Sequence, residues 1–162
     1  MNRIYSINET YIKTIDEKDL FNFFKEYVSK YKKPIDQAKE SVLLKSISFL
    51  KNKAKTLEDI WNNAHYIIND KIEIGADDKK LIDDLSKKVI NAFISEYEKL
   101  SSLSREVIEP IIKSLIDKHK TNFKGVGQPL RIALVGSRFG PGIYDVILSL
   151  DKSEVIKRLK QI

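Results

Sequence analysis

Basic residues interleave with aromatic residues at two places in this sequence, and that mixture suits the binding of single-stranded nucleic acid. The first is Phe49-Leu50-Lys51-Asn52-Lys53-Ala54-Lys55; the second runs from Gln128-Pro129-Leu130-Arg131 to Arg138-Phe139-Gly140-Pro141. Unstacked nucleobases stack on aromatic and guanidinium planes and hydrogen-bond along their exposed edges. Glycine lets a backbone approach a base closely, and a helix N-terminus offers free amides to phosphate. The same residues also suit an ordinary solvated basic rim beside packing aromatics, and residue type alone does not separate the two.

Other chemistries lack their parts. There is no Gly-x-x-x-x-Gly-Lys-Ser/Thr phosphate loop, and no Gly-x-Gly-x-x-Gly follows a strand. His65 and His119 stand far apart, neither with a ligand at helical spacing, so no metal site is expected. With no Cys, there is neither a disulfide framework nor a thiolate site. Asp77-Asp78 and Asp83-Asp84 read as charge favouring helix N-termini rather than as paired catalytic carboxylates. No nucleophile, base and orienting group come together, so the sequence shows no catalytic residue.

The elements that must position the two basic segments are helical. Leu43, Ile47, Leu50 and Ala54 form one apolar stripe. Thr56 followed by Asp59 reads as a capping box, with Leu57, Ile60, Trp61 and Ala64 facing inward. Asp77 to Leu100 reads as one long helix whose inner face carries Ile82, Leu85, Val89, Phe93, Tyr97 and Leu100. Ser104 opens another helix, which Pro110 should kink or delay. After it, Pro129 reads as the first turn of a short helix capped by Gly136. Gly140-Pro141 leads into Gly142 to Leu150, and Ser153-Glu154 opens the last helix. The expected architecture is all-α, with subdomains at residues 1–100 and 101–162.

Composition bounds the setting. The chain has 162 residues, 42% hydrophobic and 32% charged, which suits one domain or two small ones. No apolar run approaches the roughly 18 residues that cross a bilayer, and the first residues lack a signal peptide's pattern. A cytoplasmic protein without membrane attachment is expected. The net charge of +6 favours polyanionic partners.

The run Gln128-Pro129-Leu130-Arg131-Ile132-Ala133-Leu134-Val135-Gly136-Ser137, then Gly140-Pro141-Gly142-Ile143-Tyr144 and the tail Leu148 to Leu159, resembles the C-terminal signature of bacterial glutamyl-tRNA synthetases. In that family a Pro-Leu-Arg-x-Ala-Leu-x-Gly run precedes a Pro-Gly turn, a Leu-rich helix and a basic last helix. Leu50 to Leu57 is similar to the family's basic run before a Thr-Leu helix start. Ile7-Asn8-Glu9-Thr10-Tyr11-Ile12-Lys13 resembles its Leu-Asn-x-x-Tyr-Ile run. Two positions depart: Ser6 stands where an aromatic is usual, and Asp151 where a glycine is common.

The resemblance implies two helical subdomains forming an α-helix cage around a tRNA anticodon loop. It implies that Arg131 contacts the anticodon, that Gly140, Pro141 and Ile143 pack against its bases, and that Lys53, often Arg in the family, tests the third anticodon base. Lys51 and Arg138 join them as basic neighbours, on their chemistry. The implied partners are tRNA(Glu), with tRNA(Gln) as a second candidate, and an N-terminal catalytic domain of the same protein, which is expected to be a monomer. That domain's HIGH-type and KMSKS-type motifs, and with them ATP and Mg²⁺, belong N-terminal to this region. The chain carries neither motif, no cofactor is expected on it, and Met1 is read as the start of a piece of a longer ligase. Two rival readings are a helical protein-interaction module and a nonspecific basic nucleic-acid binder.

Overall fold

The computed structural model describes residues 9–52, 54–69 and 71–162, and among them there are ten helices and no strand. They fall into two compact units, Met1–Asp70 and Lys71–Ile162.

The first unit holds α1 (Glu9–Thr14), α2 (Glu17–Tyr31), α3 (Gln37–Leu50) and α4 (Leu57–Ile68). Each of the last three opens on a residue whose side-chain oxygen accepts a free backbone amide: Asp16 from Lys18, Asp36 from Ala38 and Thr56 from Asp59. Helices α2, α3 and α4 pack on one another around Phe24, Val28, Leu43, Ile47, Ile60 and Ala64, all fully buried. The expected stripe through Leu50 and Ala54 is likewise buried, whereas Trp61 is only partly so. Its indole lies beneath the Lys32 ammonium, 5.9 Å from the ring centroid. The Tyr27 hydroxyl and the Lys32 ammonium both donate to Glu58, and these two donors hold its carboxyl below the usual range.

The second unit holds α5 (Ala76–Lys79), α6 (Asp84–Glu98), α7 (Arg105–Lys118), α8 (Phe123–Val135), α9 (Ile143–Ser149) and α10 (Lys152–Lys160). Helix α8 touches α6, α7, α9 and α10 and buries Val126, Leu130, Ile132, Ala133, Leu134 and Val135. With only Lys124 and Arg131 charged along its length, it is apolar nearly all round, as a central helix must be. Lys152 donates to the carbonyls of Glu98 and Leu100, closing the end of α6 with a cation.

Three sequence expectations change here. The contacts divide the chain after Asp70 rather than after residue 100, because α6 buries its apolar face against α7, α8 and α10. The single helix expected over Asp77 to Leu100 is two. Asp83 turns its carboxylate onto the amide and hydroxyl of Ser86 and starts α6 afresh, leaving Leu85 exposed. Pro110 lies inside α7, which starts at Arg105, so it does not delay that helix.

Tyr97 carries a stability prediction. Its ring is fully buried and stacks on Phe93 at 5.3 Å, but its hydroxyl is buried without a partner. Burial pushes the hydroxyl's pKa up to about 12. A buried unpaired hydroxyl costs about 1–3 kcal/mol. Tyr97→Phe keeps the packing and removes that cost, so chemical denaturation should find the variant as stable as the parent or up to about 3 kcal/mol more stable. A clear loss of stability would mean that the hydroxyl has a partner in solution.

Candidate nucleic-acid interface

The second basic segment is built around α8. The helix begins at Phe123, six residues before the Pro129 start expected from the sequence, because the Asn122 side chain accepts from the Gly125 amide at 2.8 Å and caps it there. Pro129 therefore sits inside the helix and leaves one carbonyl of the preceding turn without its usual donor. The other end is as expected. Gly136 adopts a left-handed φ of 89° and donates to the Ile132 carbonyl at 2.8 Å.

Beyond Gly136 the chain turns through Ser137 to Gly142 before α9. Arg131 reaches up from α8 and donates from Nη1 to the Arg138 carbonyl at 3.0 Å. Asp78, in α5, accepts from the Arg138 amide at 3.4 Å and lies 3.6 Å from Arg138 Nε. The Arg138 guanidinium stands 5.0 Å from the centre of the Phe139 ring, which is 70% exposed. Together, the two arginines and Phe139 line a cavity of about 480 Å³ with Phe123, Gly127 and Gln128. That size lies within the usual range of small-ligand pockets. With Lys124 also in the lining, its walls offer what an unstacked base needs: two aromatic rings, two guanidinium groups, an ammonium and an amide.

Arg131 is half-buried, and desolvation draws its pKa below the ordinary guanidinium value. Its Nε is buried with no acceptor. An arginine so placed loses hydration on one side while its charge remains, and an acceptor brought within reach gains from the lowered screening.

The remaining expected residues are placed differently. Gly140 has a φ of 144°, open to glycine and strained for other residues. Pro141 and Ile143 are buried. A Cβ built on Gly127 would lie 3.8 Å from the Ile143 side chain, so Ile143 packs against α8 and seats the turn. In the first unit, Lys51 is mostly buried: its ammonium donates to the Lys13 carbonyl at 3.5 Å and lies 3.8 Å from Glu17. That pairing uses its charge inside the unit. Lys53 lies outside the described residues. Its neighbours are tied on both sides, since Asn63 donates to the Leu50 carbonyl and the Lys55 amide donates to Asp59. The structure thus brings Arg131, Arg138 and the Gly140–Ile143 turn to one place in the second unit, with Lys51 in the other.

Sequence reasoning left Phe123 out. Phe123, Gly127 and Arg131 recur at intervals of four, the spacing of one helix face, but the periodicity is hidden when the helix is started at Pro129.

Among the described residues the chain is all-helical, and its second unit sets a cation- and aromatic-lined cavity beside a glycine turn. The chain belongs to the anticodon-binding domain family, whose sequence model matches residues 14–162. It is 53% identical over 159 residues to a glutamate–tRNA ligase of Pelagibacter ubique, covering 98% of this chain and 34% of that protein. It is 32% identical over 157 residues to glutamate–tRNA ligase 1 of Syntrophus aciditrophicus, covering 96% and 33%. Its fold is similar to part of a glutamate tRNA ligase crystal structure from Elizabethkingia meningosepticum, with a TM-score of 0.78 and 22% identity over 95% of this chain and 30% of that one. The chain spans about a third of the length of the relatives it matches.

Proposed function

We propose that this chain is the anticodon-reading part of a glutamate–tRNA ligase and supplies the enzyme's choice of tRNA. The observation that carries the proposal is the 53% identity to such a ligase along almost the whole chain. The arginine-lined cavity supports it by offering a physical means of holding an unstacked base. The parent protein would form glutamyl-adenylate from ATP, with Mg²⁺, and pass the glutamate to tRNA in its N-terminal domain. This chain would act by binding and orienting the tRNA. The partner is tRNA(Glu), with tRNA(Gln) as a second substrate in an enzyme of relaxed choice, and the working unit is a cytoplasmic monomer. Among the described residues no helix is long and apolar enough to cross a membrane.

Arg131 and Arg138 hold one part of the anticodon, while Gly140, Pro141 and Ile143 shape the turn against which its bases pack. Lys53 meets the third anticodon base, with Lys51 bracing the segment before it. Glutamate anticodons end in C and glutamine anticodons in G. Cytosine presents two acceptors, O2 and N3, which suit a flat arginine fork. A lysine is a rotatable point charge that also reaches guanine O6.

The experiment is binding of two otherwise identical anticodon stem-loops, ending in C or G, at two salt concentrations. Wild type should prefer C modestly, and Lys53→Arg should sharpen the preference several-fold, within the roughly 1–3 kcal/mol that a bidentate contact discriminates. Equal ratios for both proteins would remove Lys53 from this role. A steep salt dependence without base preference would favour a nonspecific binder, and no binding would favour a protein-interaction module.

A further inference from the structure

The aromatic lining of the cavity continues beyond it. Phe123, 47% exposed, has its ring centre 6.1 Å from that of Tyr144, near the start of α9. Over Tyr144 lies the guanidinium of Arg105, the first residue of α7, with Cζ 4.6 Å from the ring centre. Glu109, one turn further along α7, sits 3.7 Å from Arg105 Nε. The Arg105 side chain is nevertheless 64% exposed. Three helices thus converge on a short series, ring to ring to guanidinium, that leads away from the cavity.

This arrangement is more specific than a surface cation. A free arginine samples many rotamers, and ordering it for a ligand costs conformational entropy. Arg105 already lies against an aromatic ring and beside Glu109, a carboxylate that Lys113 also approaches at 3.2 Å, so part of that ordering is in place before a ligand arrives. A guanidinium is itself a flat, charged plane, and a nucleobase stacks well on such a plane.

We infer that Arg105, braced against the Tyr144 ring, forms a second stacking step, which takes the base of a loop nucleotide next to the anticodon triplet. The inference rests on the RNA-binding reading of this domain. The ligand is an unstacked nucleobase in a single-stranded loop, recognised by its π-face and therefore with little dependence on base identity. Tyr144 is a positioning residue: its ring restrains the guanidinium by cation–π contact.

The test uses the 162-residue chain and a glutamate-type anticodon stem-loop. Two further loops are made abasic at the position immediately 5′ or 3′ of the triplet. In wild type, one abasic site should weaken binding about five- to tenfold, in keeping with base-on-plane stacking. Arg105→Ala should weaken binding of the intact loop by a similar factor and abolish that abasic penalty. Arg105→Lys, which keeps the charge without the plane, should behave like Arg105→Ala. The exposed position makes both variants foldable, and circular dichroism checks this.

Full binding by Arg105→Lys, or an abasic penalty unchanged in Arg105→Ala, overturns the inference. It would leave Arg105 as a phosphate contact in the first case and a surface brace in the second. If wild type binds the loop and Arg105→Ala matches it, the inference fails alone. If wild type does not bind the loop at all, the RNA-binding reading fails with it.

Discussion

Arg131→Ala should bind a glutamate-type anticodon stem-loop roughly 10- to 100-fold more weakly, the ~1–3 kcal/mol span of a good bidentate base contact, while remaining folded. The two halves of that expectation have separate origins. Folding loses the hydrogen bond from Nη1 to the Arg138 carbonyl, which contributes about 1 kcal/mol. It also sheds a buried Nε that has no acceptor, and relief of that cost works in the opposite direction. Net stability should therefore change by less than about 1 kcal/mol. Binding has no such compensation. The cavity loses one of its two guanidinium groups, and the turn carrying Arg138 and Phe139 loses its tie to α8. Arg131→Lys should recover only a small part, because an ammonium restores charge without the planar fork. Fluorescence anisotropy with the stem-loop, beside a denaturation curve for each variant, checks both halves. Unchanged affinity in a folded Arg131→Ala protein would return this segment to an ordinary solvated rim.

Gly136→Ala should destabilise the protein by about 3 kcal/mol or more, for two reasons that act together. The backbone φ of 89° lies in the left-handed region, which costs a side-chain-bearing residue roughly 1–2 kcal/mol. In addition, a Cβ there would stand 2.6 Å from the Glu73 carbonyl oxygen and 2.6 Å from Ile72 Cγ2. A side-chain methyl can turn aside, but the backbone carbonyl can withdraw only by moving the 72–75 segment, which leads into α5 and Asp78. In a chain of this length the loss corresponds to a fall in melting temperature of roughly 6–12 °C. Gly127→Ala is the control within the same helix. Its added methyl would meet Phe123 at 3.5 Å and Ile143 at 3.8 Å, ordinary contact, and alanine is the better helix former. That variant should be neutral or slightly stabilised. If the two alanine variants prove equally stable, the close approach at Gly136 is not present in solution.

Several features of the fold are local and were readable as such. The Thr56 cap, the apolar stripe from Leu43 to Ala54 and the left-handed Gly136 end each depend on residues within about one helical turn. Their chemistry is complete in the sequence. The second basic segment was legible too, because Arg131, Arg138 and the glycine turn stand within twelve residues of one another. The true starts of α6 and α8 are also set locally, by Asp83 and Asn122. In the sequence they compete with stronger signals, the apolar period around Leu85 and the proline at 129.

Which charges remain available to a ligand was decided only by tertiary structure. Lys51 and Arg138 look alike in the sequence, as basic residues beside aromatic ones. The fold turns Lys51 onto the Lys13 carbonyl, 38 residues away, and mostly buries it. It ties Arg138 to Asp78, 60 residues away, yet leaves it lining an open cavity. Arg105 stands outside both basic segments, but α7 and α9 pack so that its guanidinium covers Tyr144. A charge's partner is set by distance in space, and spacing along the chain reports that distance only within a helix or a turn. Between helices, the packing of their buried faces chooses the partner.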